Sequence, residues 1–592
     1  MTNRLTLTLC ALLVALPATA QTQAPRAKPV QHAQLSGELP GMPVRIPRSA
    51  RMLGVSGPYL AARMAAVEND YAAAARYFTQ ALAHDPTDPF LQDSALVALT
   101  SSGDVDRGVA LASQMIQSDR GTELARLLHR ASLIRAGNWD GLIAFIDANR
   151  SSDQPIDRDL MDGTMRAWAL LGAGRGSDAL AAFNAMAAHP DIAPVVNYHL
   201  ALASAKVGDY ERAAELLAVD DTGAHLLGVM ARAQVLAQLD RRDEAVAVLN
   251  ALPALDNEPQ LLALRDRLAA GEAVSFDVID GPADGVAQLL LAFSAALATS
   301  PDPEPLSLIH ARLAVWMSPA NSEARLLTAQ QLLDRQQFDL ADVEFNAVRD
   351  MGQVRPVAEL TRIEALARGD RLEQAEQAAR DLVADYPNLP QAQSAMGDVL
   401  RQREKFADAV PFYDRTLDLL ADAPADARWF PLYARGIALE RSGQFDRAEA
   451  DFLAAIDIRP DQASLLNYLG YSWIDRNVNL DRGLDLIKQA AELSPGDGYI
   501  LDSLAWAYYR LGRYQDAVAP MEEAVGQMSN DPLVNDHLGD IYWKVGRKRE
   551  ADIQWRRALS LKPTQSGEVN FDRIRDKLDR GLDAVLADEA GQ

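Results

Sequence analysis

An all-α solenoid of stacked helix hairpins is the fold this sequence predicts, and three observations carry the prediction. Equivalent small residues recur at one interval near the carboxyl end: Gly436 to Gly470 is 34 positions, Gly470 to Ala505 is 35 and Ala505 to Gly539 is 34. Within each interval the apolar residues fall into two groups at helical spacing. Helix formers dominate the 592 residues and aromatics are only 6%. A chain of this kind grows by stacking, not by enlarging one core.

The stretch from Ala463 to Pro563 states the unit most clearly. Leu466, Leu469, Gly470 and Trp473 are followed by Gly483, Ile487, Ala490 and Pro495. The next copy reads Leu501, Leu504, Ala505 and Tyr508, then Ala517, Met521 and Ala524; the third reads Asn535, Leu538, Gly539 and Tyr542, then Ala551, Trp555, Ala558 and Pro563. Two antiparallel helices approach closely only where small side chains meet, so Gly470 or Gly539 on the first helix faces Ala517- or Ala551-type positions on the second. A larger residue there overpacks, at about 1–3 kcal/mol. Gly512 and Gly546 supply left-handed caps after the first helices, and Pro460, Pro495 and Pro563 end the second ones. Period and pattern resemble the tetratricopeptide repeat (TPR) family, a resemblance that implies a right-handed superhelix of helix pairs.

Taken in order, residues 1–20 read as an export signal: Arg4, an apolar run from Leu5 to Leu16, Pro17 and an Ala18-Thr19-Ala20 cleavage pattern. A mostly apolar run of about twelve residues is short of the roughly 20 that span a bilayer, so the mature chain is expected to hold no integral membrane segment. Leu9, before the sole cysteine Cys10, is not the small residue that lipid attachment favours, and cleavage leaves no thiol. Residues 21–56 are rich in Pro, Gln, Ala and Arg and are expected to be a disordered linker. Degenerate repeats are expected over 57–270, among them Ala74-Phe78-Ala81 and Ala179-Phe183-Met186. Gly172-Ala173-Gly174-Arg175-Gly176 imitates a phosphate loop but follows no strand, and is expected to be an inter-helix turn.

Residues 271–320 break the rhythm and are expected to form an irregular joint. There Ser275–Pro282 could be extended, Ala283–Thr299 reads as a buried helix, and Leu306–Met317 as its irregular partner. Repeats return over 321–565, with an excess at Leu420–Arg428 expected to protrude. Residues 566–592 are expected to supply a capping helix and tail, with Phe571, Ile574, Leu578, Leu582 and Val585 on one side of a helix from Val569 to Ala587.

The formal charge is −24, although residues 21–56 carry Arg26, Lys28, Arg45, Arg48 and Arg51 against Glu38. So acidic a body disfavours nucleic acid, whose affinity comes mainly from neutralised phosphates. No Gly-x-Ser-x-Gly elbow, His-Glu-x-x-His helix, P-loop or cysteine pair occurs, and the eight histidines are scattered. Neither catalytic residues, nor a metal, nor a cofactor are expected, and the protein is read as no enzyme.

A surface remains. First helices of stacked pairs line the inner side, and residues one and four places after each Gly470-type position face that groove, with those three before it and those one beyond the second set. Tyr433, Asn467, Tyr471, Asp502, Trp506, Tyr509, Arg510, Asp536, Asp540 and Trp543 are therefore the candidate peptide- or protein-binding residues. Trp473, Tyr508, Tyr542 and Trp555 fall at packing positions and are expected in the core.

The runs NYLGYSWIDR (467–476), Asn479-Leu480-Asp481 and GYILDSLAWAYYR (498–510) are more specific than repeat grammar. They resemble Gram-negative envelope TPR proteins, including outer-membrane lipoproteins that serve as adaptors for carboxy-terminal processing proteases. That resemblance implies a periplasmic, non-enzymatic scaffold, peripheral to the outer membrane, that captures a protease and delivers cell-wall hydrolases to it. The alternative is a structural or assembly factor for an outer-envelope or polysaccharide export complex.

Overall fold

The computed structural model describes residues 54–150, 155–219, 222–252, 255, 258–299, 305–561 and 569–590. The expected signal, most of the expected linker and Pro563 lie outside these residues. Among the described residues the chain forms α-helices joined by turns and short 3₁₀ pieces, with no strand. It is an all-α solenoid of helix hairpins, and it divides into two compact units between Gly369 and Asp370, later than the joint expected over 271–320.

Local rules set the hairpins. In the second unit Ala463–Asp475 packs on Leu480–Leu493, Gly498–Arg510 on Tyr514–Gln527, and Pro532–Lys544 on Lys548–Ser560. Asp497 and Asp531 cap the first helices of two pairs by accepting backbone N–H bonds, from Tyr499 and Ile500 and from Leu533 and Val534. Gly512 (φ +72°) and Gly546 (φ +85°) take the left-handed turn between helices. A Cβ on Gly470 would lie 2.8 Å from the Gly483 carbonyl oxygen and from Ile487. Because that oxygen is backbone and cannot swing aside, Gly470→Ala is expected to destabilise this unit by about 1–3 kcal/mol, read as a fall in urea midpoint at unchanged m. Trp473 and Trp555 are buried as expected, and Tyr542 with them; Tyr508 is only half-buried.

First helices of successive pairs also touch each other, Ala463–Asp475 with Gly498–Arg510 and Gly498–Arg510 with Pro532–Lys544. They form the inner layer. The excess at Leu420–Arg428 is an exposed turn containing a 3₁₀ piece, Ala425–Ala427, tied by Asp426 to Arg459 at 2.8 Å. The single helix expected from Val569 to Ala587 is instead two, Phe571–Arg580 and Leu582–Ala590. Gly581 (φ +81°) breaks it, and a Cβ there would meet Trp543 at 2.7 Å.

The first unit departs further from expectation. Leu306–Met317, expected to be irregular, lies in the regular helix Pro305–Met317, paired with Pro282–Ala298. This hairpin packs on the next helix, Ser322–Asp334, and also turns back onto the inner layer. Pro282–Ala298 packs against Leu160–Gly172 and Ala193–Lys206, and Pro305–Met317 against Pro89–Ser102 and Glu123–Arg135. A Cβ on Gly285 would meet the Trp168 indole at 2.3 Å, and the Tyr198 hydroxyl donates to Gln288 Oε1 at 2.6 Å. Arg312 donates to the Ser101 carbonyl and, at 2.6 Å, to Glu344. Of the stretch Ser275–Pro282, expected to be able to extend, residues 275–281 form no strand and Pro282 opens the helix. They are held by Gln234, which donates to the Asp277 carboxylate at 2.6 Å and accepts from its N–H at 2.9 Å. The imitation phosphate loop is an inter-helix turn, with Gly174 at φ +78°.

Candidate protein-binding face of the second unit

The ten candidate residues all lie on first helices, on Trp429–Arg441, Ala463–Asp475, Gly498–Arg510 and Pro532–Lys544. The geometry divides them. Tyr433, Asn467, Tyr471, Trp506, Tyr509, Arg510 and Trp543 are half-buried, whereas Asp502, Asp536 and Asp540 are buried.

The half-buried group forms a row of rings and polar tips. Tyr433 lies edge-on to Tyr468 with centroids 5.8 Å apart. Asn467, one repeat on, has its Oδ1 enclosed and accepting no hydrogen bond within the protein. Burial pushes the Tyr471 hydroxyl above the ordinary tyrosine range, and the carboxylates of Asp502 and Asp475 push the same way, so it stays a neutral donor. Trp506 stacks with Tyr509 at 4.7 Å and with His537 at 4.0 Å, with interplanar angles of 11° and 16°. These two stacks fix the position of the indole.

The buried acids serve the stack itself. His537 Nδ1 lies 2.8 Å from Asp502 Oδ1. Burial opposes protonation of His537, but the Asp502 carboxylate, with Asp536 and Asp540 behind it, outweighs burial and raises its pKa. Lys577 Nζ, fully buried, donates to both oxygens of Asp536 at 2.9 and 2.8 Å and lies 2.7 Å from Asp540 Oδ1. Asp540 Oδ1 also accepts from Trp555 Nε1 at 3.0 Å. Trp543 Nε1 donates to Asp583 at 2.9 Å, beside Lys544 at 2.7 Å from the same carboxylate.

Sequence reasoning missed His537, Lys577, Arg573 and Asp583. A signal was present for the first. Acids on one first helix meet cations of the next about one repeat later: Glu440 with Arg476 at 3.7 Å, Asp475 with Arg510 at 3.6 Å, and Asp502 with His537. Among the described residues no cluster of His, Cys, Asp and Glu could hold a metal ion, and no helix is long and apolar enough to cross a membrane.

Models of the tetratricopeptide repeat family match residues 433–498, 476–532 and 534–565. A TPR repeat-containing protein of Pseudomonas aeruginosa is 37% identical over 109 residues, 18% of either chain. Human aspartyl/asparaginyl beta-hydroxylase is 24% identical over 203 residues, 32% of this chain and 26% of its own. The chain thus spans about a fifth to a quarter of these relatives. Among solved structures, a tetratricopeptide repeat protein from Parabacteroides merdae is 16% identical over 44% of this chain and 97% of its own, with a TM-score of 0.36. The Cut9–Hcn1 hetero-tetramer of the APC/C is 14% identical over 90% of this chain and 98% of its own, also with a TM-score of 0.36. Residues 433–532 and 534–565 of this chain thus match tetratricopeptide repeats, and the described residues form an all-α solenoid of helix hairpins.

Proposed function

We propose that the protein is a non-enzymatic, exported periplasmic scaffold, peripheral to the outer membrane, that binds protein segments along the inner face of its second unit and delivers clients such as cell-wall hydrolases to a carboxy-terminal processing protease of the envelope. The observation that carries the binding step is the half-buried row Tyr433, Asn467, Tyr471, Trp506 and Tyr509 on successive first helices. Rigid aromatics lose little conformational entropy on contact. The protease role rests on the resemblance of residues 467–510 alone. The static alternative, an assembly factor of an export complex, draws support from the first unit, whose inner layer is filled by its own hairpin.

Affinity capture from a Gram-negative envelope extract tests the reading, comparing the native chain with Trp506→Ala/Tyr509→Ala. A protease with hydrolases is expected on the native chain. Losing both rings is expected to weaken retention by about 2–4 kcal/mol, about 30- to 1,000-fold, with helicity by circular dichroism kept. Equal retention by the variant sinks the site, and stoichiometric export subunits in place of a protease favour the static alternative.

A further inference from the structure

Three of the ten candidate residues are covered by the chain's own carboxyl-terminal helices. Lys577 sits on Asp536 and Asp540, and Asp583 accepts from Trp543. Arg573 lies 3.6 Å from Asp540 Oδ2, an oxygen that is buried and accepts no hydrogen bond, and its charge reaches the Tyr509 hydroxyl. Ile574 and Leu582 are fully buried in one apolar cluster with Leu538 and Trp555. A segment with an aliphatic residue three places before a lysine therefore fills this end of the inner face.

Two buried carboxylates so close together do not tolerate loss of their cation, because an uncompensated buried charge is far more costly than the pair. Whatever takes the helices' place must bring a positive charge of its own. We propose that Phe571–Arg580 and Leu582–Ala590 are an intramolecular competitor for the inner face, and that the partner reaching this end presents a lysine or arginine set among aliphatic residues. This rests on the inner face being a binding surface. The covering helices then set affinity: a segment confined to Tyr433–Trp506 binds without displacing them, and one that runs on to Asp540 does so only by substituting for Lys577.

The test uses full-length chains and one probe, a fluorescein-labelled synthetic peptide of residues 569–592. Ile574→Asp ejects the covering helices and leaves Asp536 and Asp540 intact. By fluorescence polarisation the Ile574→Asp chain is expected to take up the peptide at least about ten-fold more tightly than the native chain. A Lys577→Met peptide is expected to bind at least about 100-fold more weakly than the native peptide. Should Ile574→Asp lose its helicity, the Lys577→Met chain, which lacks only the charge, replaces it. No uptake by a folded ejected variant, equal uptake by the native chain, or equal binding of the two peptides each overturns the proposal. The readout does not involve the Trp506 and Tyr509 substitutions, so failure of the client-capture experiment and failure here are distinguishable. A partner captured through Trp506 that reaches Asp540 is expected to bind the ejected variant about ten-fold more tightly; equal affinity for both chains contradicts the competition.

Discussion

Trp168→Ala is expected to destabilise the first unit by about 3–5 kcal/mol, the range for removing a buried tryptophan. Trp168 has no exposed surface and lies edge-on to Phe183 with centroids 5.5 Å apart. Its Nε1 donates to His199 Nδ1 at 3.2 Å, so the truncation also leaves a buried acceptor without a partner. It further removes the surface on which Gly285 and the helix Pro282–Ala298 rest. Domain stabilities are about 5–15 kcal/mol, so the effect is a large fraction of the whole. Urea denaturation followed by hydrogen exchange of residues 160–172 and 282–298 reads it; a loss under about 1 kcal/mol shows that the hairpin does not depend on this seat.

Mild acid is expected to act on the same place. Burial lowers the His199 pKa to about 3, with the neighbouring His225 adding to the effect, and burial lowers His225 to about 4. Both are neutral in the folded unit at pH 5, whereas the unfolded chain binds protons there. Their contribution is therefore complete above the unfolded value of about 6.5 and is lost as pH falls from there towards 4 and 3. At pH 5 the loss is about 2 kcal/mol per histidine relative to pH 7. Buried Asp162, raised by desolvation against the pull of Arg130, works in the opposite sense. His199→Gln keeps a hydrogen-bond acceptor and should remove the His199 share of the loss, about 2 kcal/mol between pH 7 and pH 5; an unchanged slope contradicts the assignment. His537 in the second unit has the opposite sign. Its pKa is raised in the fold, so its contribution is present below the unfolded value and fades as pH rises through the folded one.

The two units differ in how much their residues announced. In the second unit period and residue size decide the structure locally: the small residues at 470 and 483 are where the backbones approach, Gly512 and Gly546 are where the chain turns, and Trp473 and Trp555 are core. The first unit's inner hairpin was legible only in part. Ala283–Thr299 read as buried because it is apolar, but nothing local says that it lies on Trp168 and Tyr198, more than 80 residues upstream. Likewise the inner positions of Asp502, Asp536 and Asp540 followed from helical period, whereas their use by His537 and Lys577 depends on how the next helix is seated. The turn at Gly581 has only a lone glycine to mark it inside an otherwise amphipathic run.

Under the proposed function, partners meet the first helices of the second unit and not its outer surface. Site-specific photo-crosslinking tests it most directly, with p-benzoylphenylalanine in place of Tyr471 on the inner face or Ile553, an exposed residue of the second helix Lys548–Ser560. Irradiation in envelope extract is expected to give discrete protein adducts at position 471 that disappear when Trp506 and Tyr509 are alanine, and none at position 553. Adducts at 553 with none at 471, or adducts at 471 that survive loss of both rings, would contradict it.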